Sequence, residues 1–161
     1  MKPIALFLSV PLFALAAAAV RAGEAKPAPP AAPAFDAALA QRLGADERGM
    51  RRYVLVVLKT GPTRVPDGEE RKAMFAGHFA NITRLSEEGK LVLAGPFAQD
   101  PAGWRGLFLF AVEDVEEARR LTETDPVIVK GEMVAEYHPW YGSAAVMMLP
   151  EIHTRLTPAQ Q

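Results

Sequence analysis

Apolar positions along this chain recur with two periods. From Asp67 to Gly89 the spacing is helical: Phe75, His78, Ile82 and Leu85 share one face, while Arg71, Lys72, Arg84 and Glu87 fall mostly elsewhere. The stretch predicts one long helix. Asp67 and Glu70 open it as an aspartate version of the capping box, and Gly89 closes it in the left-handed conformation. Glu69 and Glu70 also complement the positive end of the helix dipole. At ~1.5 Å per residue the element is roughly 30 Å long, enough to cross a small sheet.

Elsewhere the period is two. Tyr53 to Leu58 is apolar on both alternating faces and predicts a central strand covered on both sides. Leu91 to Ala94 predicts a second strand, ended by Gly95-Pro96-Phe97 because proline donates no ladder hydrogen bond. Turn chemistry at Asp100 to Gly103 places Arg105 to Val112 in a hairpin with it. Asp114 and Glu117 repeat the capping box ahead of Val115, Ala118 and Leu121, the inward stripe of a second helix. Asp125 before Pro126 closes that helix, and one further turn, Pro126 to Lys130, ends at Gly131. Met133, Ala135 and Tyr137 alternate with Glu132, Val134, Glu136 and His138, predicting a half-exposed fourth strand ended by Pro139.

The order β-α-β-β-α-β, with right-handed crossovers, makes an α+β fold of ferredoxin-like topology. Its four-stranded antiparallel sheet carries both helices on one face. The strands at 53–58 and 107–112 are apolar on both faces, yet two helices cover only one. The pattern therefore predicts a homodimer packed sheet to sheet.

The flanks change the picture. Lys2 precedes an apolar run from Ile4 to Val20, and small residues around Arg21 and Ala22 suit a signal peptidase, so 1–22 reads as a signal peptide. The competing reading is an uncleaved anchor. A cleaved signal places the protein in the periplasm, with no stable membrane span. Residues 23–34, rich in proline and alanine, form a semi-rigid tether. Phe35, Leu39 and Leu43, followed by Gly44, predict a short docking helix within an extension at 35–49. The domain proper spans 50–140. The C-terminal extension, 141–161, carries Val146, Met147, Met148, Leu149 and Ile152; it wraps over its own domain or reaches a partner.

Charge and composition mainly exclude. Two of the 18 basic residues lie in the signal segment; the remaining 16 against 19 acidic give −3, a balance that argues against nucleic acid. With no cysteine, lipobox attachment, disulfides and thiol catalysis are excluded. His78, His138 and His153 are scattered without metal-ligand spacing, so no metal site is expected. Gly142-Ser143-Ala144 lacks the second glycine of a nucleophile elbow. No glycine-rich phosphate or dinucleotide motif occurs, and no cofactor is expected.

What chemistry remains centres on His78, an imidazole on an apolar helical stripe. It is either a buried neutral histidine bonded to backbone or a proton shuttle. Asp125 has an equally good role as N-cap of the Pro126 turn, and its two oxygens allow both duties. Gly95, Pro96 and Phe97 are a strand-ending turn or a pocket wall. Trp140 and Tyr141 line a pocket or form aromatic core at a dimer seam.

GHFANITRLSEEGKLVLAGPF, the hairpin strand after it, and ETDPVIVKGEMVAEYHPW together resemble the YciI-like (YCII-related) proteins over Met50 to Trp140. That resemblance implies a dimeric α/β barrel in which a histidine and an aspartate, here His78 and Asp125, face a pocket. Related barrels include muconolactone isomerases, and some YciI-like members are thought to eliminate halide from ring compounds. The implied activity is cofactor-free proton transfer, isomerase- or lyase-like, on a small, cyclic substrate. The alternative is a non-catalytic ligand-binding or scaffolding dimer of the cell envelope. The signal, the linker, the 35–43 helix and the C-terminal extension depart from the family pattern.

Overall fold

The computed structural model describes residues 34–156. The expected signal peptide, the linker up to Pro33 and residues 157–161 lie outside the described residues. Four strands, β1 (Met50–Thr60), β2 (Leu91–Pro96), β3 (Trp104–Phe110) and β4 (Met133–Ser143), form one sheet in the order β2-β3-β1-β4. Every neighbouring pair is antiparallel. The helices are α1 (Ala37–Arg42), α2 (Glu69–Glu87), α3 (Val115–Thr122), α4 (Pro126–Val129) and α5 (Leu149–Leu156). This is the α+β, ferredoxin-like arrangement that the periodicity predicts. No described helix is long and apolar enough to cross a membrane.

One sheet face carries α2, α3 and α4. Val54, Val56 and Leu58 of β1 and Phe108 and Phe110 of β3 meet Met74 and Leu85 of α2 there. Each large apolar side chain so buried contributes about 1.5–3 kcal/mol. The opposite face is partly covered by the chain itself. A 3₁₀ turn, Ala144–Met148, brings Val146 and Met147 against Tyr53, Val92 and Leu109. The extension therefore does wrap over its own domain. The rest of that face is mixed: Val134 and Trp140 are exposed, and Lys59, Glu136 and His138 form a surface ion network at 3.2 and 2.9 Å.

Several local expectations need correction. Gly68, not Asp67, is the N-cap of α2; its φ of 152° suits glycine, and no side chain caps the helix. Asp67 is drawn instead between Arg64 and Arg71, and Glu70 reaches Lys130. The buried face of α2 is Met74, His78, Asn81 and Leu85, with Phe75 and Ile82 half-buried beside it. Asp114 does cap α3, but Glu117 turns to Lys90. At the ends of α1, Leu43, its C-cap, is buried while Phe35 stays exposed. Pro139 does not end the fourth strand, which stays paired with β1 as far as Ser143. β4 is an edge strand, where a missing N–H is tolerated on the unpaired side.

Candidate active site

His78 and Asp125 arrive from separate elements and meet at hydrogen-bond distance. His78 lies midway along α2 on the face toward the sheet, its ring 6.0 Å from Phe108 in a near-parallel stack. Phe75 and Phe79 flank it at 6.2 and 5.4 Å. Asp125 occupies the turn between α3 and α4. Pro126 holds it extended, with φ −84° and ψ 126°, and its Oδ1 accepts from the Val127 N–H at 3.1 Å. Its Oδ2 lies 2.8 Å from His78 Nδ1 and accepts from Asn81 Nδ2 at 3.4 Å. The capping and histidine-binding duties thus coexist on separate oxygens.

Close approach of α2 and α4 makes this contact possible. A Cβ at Gly77 would stand 2.9 Å from Pro126 Cγ, so the residue beside His78 must be small. Asn81, which the sequence pattern passes over, completes the network. Its oxygen accepts from Arg84 at 2.7 Å and from the Thr124 hydroxyl at 3.0 Å. Its amide nitrogen is thereby fixed toward Asp125. A carboxylate receiving Val127 and Asn81 donors is an acceptor, so Nδ1 of His78 carries a ring proton, and in the neutral ring Nε2 presents a lone pair. Nε2 has no partner among the described residues, nor is it a sealed-off orphan atom.

His78 opens onto a cavity of about 510 Å³ between α2 and the β2–β3 hairpin. Gly95, Pro96 and Phe97 form one wall, and Leu107, Phe108 and Phe79 contribute others. Trp140 and Tyr141 are not in it. Trp140 packs on Tyr53, ring centroids 5.4 Å apart, and the Tyr141 hydroxyl donates to Asp46 at the entry to β1. Among the described residues no three His, Asp or Glu side chains converge as a metal-binding group.

Two further polar residues adjoin the cavity, and periodicity did not single them out as site residues. Glu132 is buried, with Oε1 2.8 Å from Arg71 Nη2 and Oε2 accepting from the Val65 N–H at 2.7 Å. The Arg71 hydrogen bond is the main cause holding its carboxyl below the usual range, against the desolvation that opposes it. Arg105 lines the cavity from a β-bulge, where Gly106 faces Leu58 and Trp104 faces Lys59, leaving Arg105 unmatched. An arginine at a strand's start is no signal by itself; only the pairing register exposes it.

The sequence is 31% identical over 65 residues to the "Uncharacterized protein YjpA" of Bacillus subtilis (strain 168), covering 40% of this chain and 73% of YjpA. A structure of 5-chloro-2-hydroxyhydroquinone dehydrochlorinase (TftG) from Burkholderia phenoliruptrix AC1100, in complex with 2,5-dihydroxybenzoquinone, superposes with a TM-score of 0.42 at 20% identity. That match covers 55% of this chain and 92% of TftG. The profile of the YCII-related domain matches residues 52–141. Spanning more than half of the sequence, that match shows that the chain belongs to the YCII-related domain family.

Proposed function

We propose that the protein catalyses proton transfer on a small, cyclic substrate bound in the His78 cavity. The observation that carries this is an imidazole held through Nδ1 by a fully buried carboxylate, with Nε2 turned to a ring-lined cavity. In this reading Nε2 takes a proton from carbon beside a carbonyl, and Asp125 fixes the tautomer and steadies the imidazolium. Returning the proton to another carbon is isomerisation; expelling a leaving group from the enolate is elimination. Neither step calls for a redox cofactor.

Solvent exchange tests this without the physiological substrate. Purified protein in D₂O is incubated with cyclic ketones, lactones and hydroxyquinones, and deuterium uptake at carbon is followed by NMR. Wild type should accelerate uptake in at least one of these, and His78→Gln, still folded, should lose about 10²–10⁴-fold of it. Uptake that persists in His78→Gln, or none in wild type, overturns the proposal.

The second reading is a non-catalytic ligand-binding or scaffolding domain. It is favoured by one observation: Asp125 also caps α4 and so ties α2 to α4 whether or not chemistry occurs. Retention of ligand binding without exchange would select it. We also infer export to the periplasm, from the signal-like pattern at 1–22, and a homodimer through the open sheet face. Exposed Val134 and Trp140 on that face support the dimer.

A further inference from the structure

We propose that Arg105 is the anion-recognition group of the His78 cavity, and that the ligand is a single ring bearing a carboxylate or an ionised enol or phenol. The inference rests on the reading of this cavity as the reaction site and adds the substrate class to it.

The argument begins with charge. Among the described residues that line the cavity, His78 and Arg105 are the only ionisable ones, and no carboxylate is among them. Asp125 lies behind His78, already engaged. Glu132 lies behind Arg105, but both its oxygens are taken, one by Arg71 at 2.8 Å and one by the Val65 N–H at 2.7 Å. Arg105 Nη1 is 4.0 Å from Glu132, beyond hydrogen-bond reach, and the guanidinium donates to no side chain or carbonyl among the described residues. Glu132 is therefore held by Arg71, and Arg105 keeps only the longer ion pair with that carboxylate, so its N–H donors remain open to a ligand.

Geometry supplies the rest. The side chain is only about a third exposed, with a relative accessibility of 33%, so it is not a freely solvated surface cation. The bulge opposite Leu58 and Lys59 places its guanidinium on the helix side of the sheet, near the Glu132 oxygen that also holds Arg71 of α2. A planar fork of donors matches a carboxylate or paired ring oxygens. Arg105 precedes Phe108, the ring stacked on His78, by three residues on β3, roughly 10 Å at strand rise. The two polar groups thus reach the cavity from different elements, His78 from α2 and Arg105 from β3. Phe79, Phe97 and Phe108 offer apolar surface between them.

Benzoate and its neutral isostere benzamide are the probes, titrated into wild type, Arg105→Met, Arg105→Lys and His78→Gln by calorimetry and NMR. Wild type should bind benzoate at least tenfold more tightly than benzamide. Arg105→Met should abolish that preference while changing benzamide affinity less than twofold, and Arg105→Lys should restore part of it. His78→Gln should keep the preference while losing solvent exchange, which separates this inference from the reaction itself. A wild type that binds both probes equally, or neither, overturns the proposal even if Arg105→Met fails to fold. So does a folded Arg105→Met that retains the preference.

Discussion

Changing Asp125 to asparagine alters one atom and should reverse the imidazole. Oδ1 accepts from Val127 at 3.1 Å, and Oδ2 faces His78 at 2.8 Å and Asn81 at 3.4 Å. Asparagine keeps the α4 cap only with its oxygen on Val127, so its NH₂ group faces His78. That nitrogen donates, His78 Nδ1 must accept, and the ring proton moves to Nε2. The cavity then meets a donor where a base stood. Asn81 cannot turn to relieve the new donor–donor contact, because Arg84 and Thr124 hold its oxygen at 2.7 and 3.0 Å. A positioned base is worth about 10²–10⁴-fold, equivalent to roughly 3–5 kcal/mol of barrier, and exchange should fall by that factor. Losing a hydrogen bond to a charged acceptor should cost about 1.5–3 kcal/mol of stability. The decisive assay is the ¹⁵N shifts of His78, which report the tautomer with no substrate present. Wild type should show a bare Nε2 and the variant a protonated one. The same tautomer in both proteins, or exchange within threefold of wild type in a folded variant, refutes the reasoning.

Three other expectations follow from particular contacts. Glu132 has its carboxyl pKa lowered, so it stabilises the fold above its ordinary value of 4.5, and that contribution is lost as pH falls through the depressed folded-state pKa. Glu132→Gln should cost about 3–5 kcal/mol at pH 7 by chemical denaturation, and the gap to wild type should close in acid; a gap that widens below pH 4.5 contradicts the assignment. Gly77→Ala would drive a methyl into the Pro126 ring, at 2.9 Å, and should destabilise by about 1–3 kcal/mol while weakening the His78–Asp125 contact. Thermal melts and the His78 ¹⁵N shifts would detect both, and an unchanged or raised Tm would show that α4 yields freely. Trp140→Ala should leave benzoate affinity within twofold, since Trp140 packs on Tyr53 away from the cavity. If the open sheet face is the dimer seam, sedimentation at micromolar concentration should show wild type at twice the chain mass and this variant shifted toward monomer; a wild-type monomer removes the dimer.

Much of the fold was legible because its signals are local or pairwise rules. The period of α2, the two-faced apolar run of β1, and Asp125 before Pro126 each declare an element within a few residues. Right-handed crossover then restricts how such elements connect. His78 was legible as a candidate on the same grounds, whereas its pairing with Asp125 came only from the family resemblance. That they touch is a fact about two elements 47 residues apart, and it depends on Gly77 allowing α4 to close on α2.

The misses have the opposite character. Asp67 has the chemistry of a cap, but two arginines compete for its carboxylate, and Gly68 takes the terminus by its backbone freedom alone. Pro139 reads as a strand end until the sheet order makes β4 an edge. Trp140 and Tyr141 are open between a pocket wall and dimer-seam aromatics until the register sets Trp140 opposite Tyr53, away from the cavity. Arg105 has no pattern of its own, since a bulge is defined by the partner strand's register. From sequence alone, then, this chain determines which elements form and which residues carry titratable chemistry, because hydrogen bonding and periodicity act over a turn or a strand. Which of those residues share a cavity was decided by strand register, edge position and the closeness of two helices, because these are set by packing between segments distant in the chain.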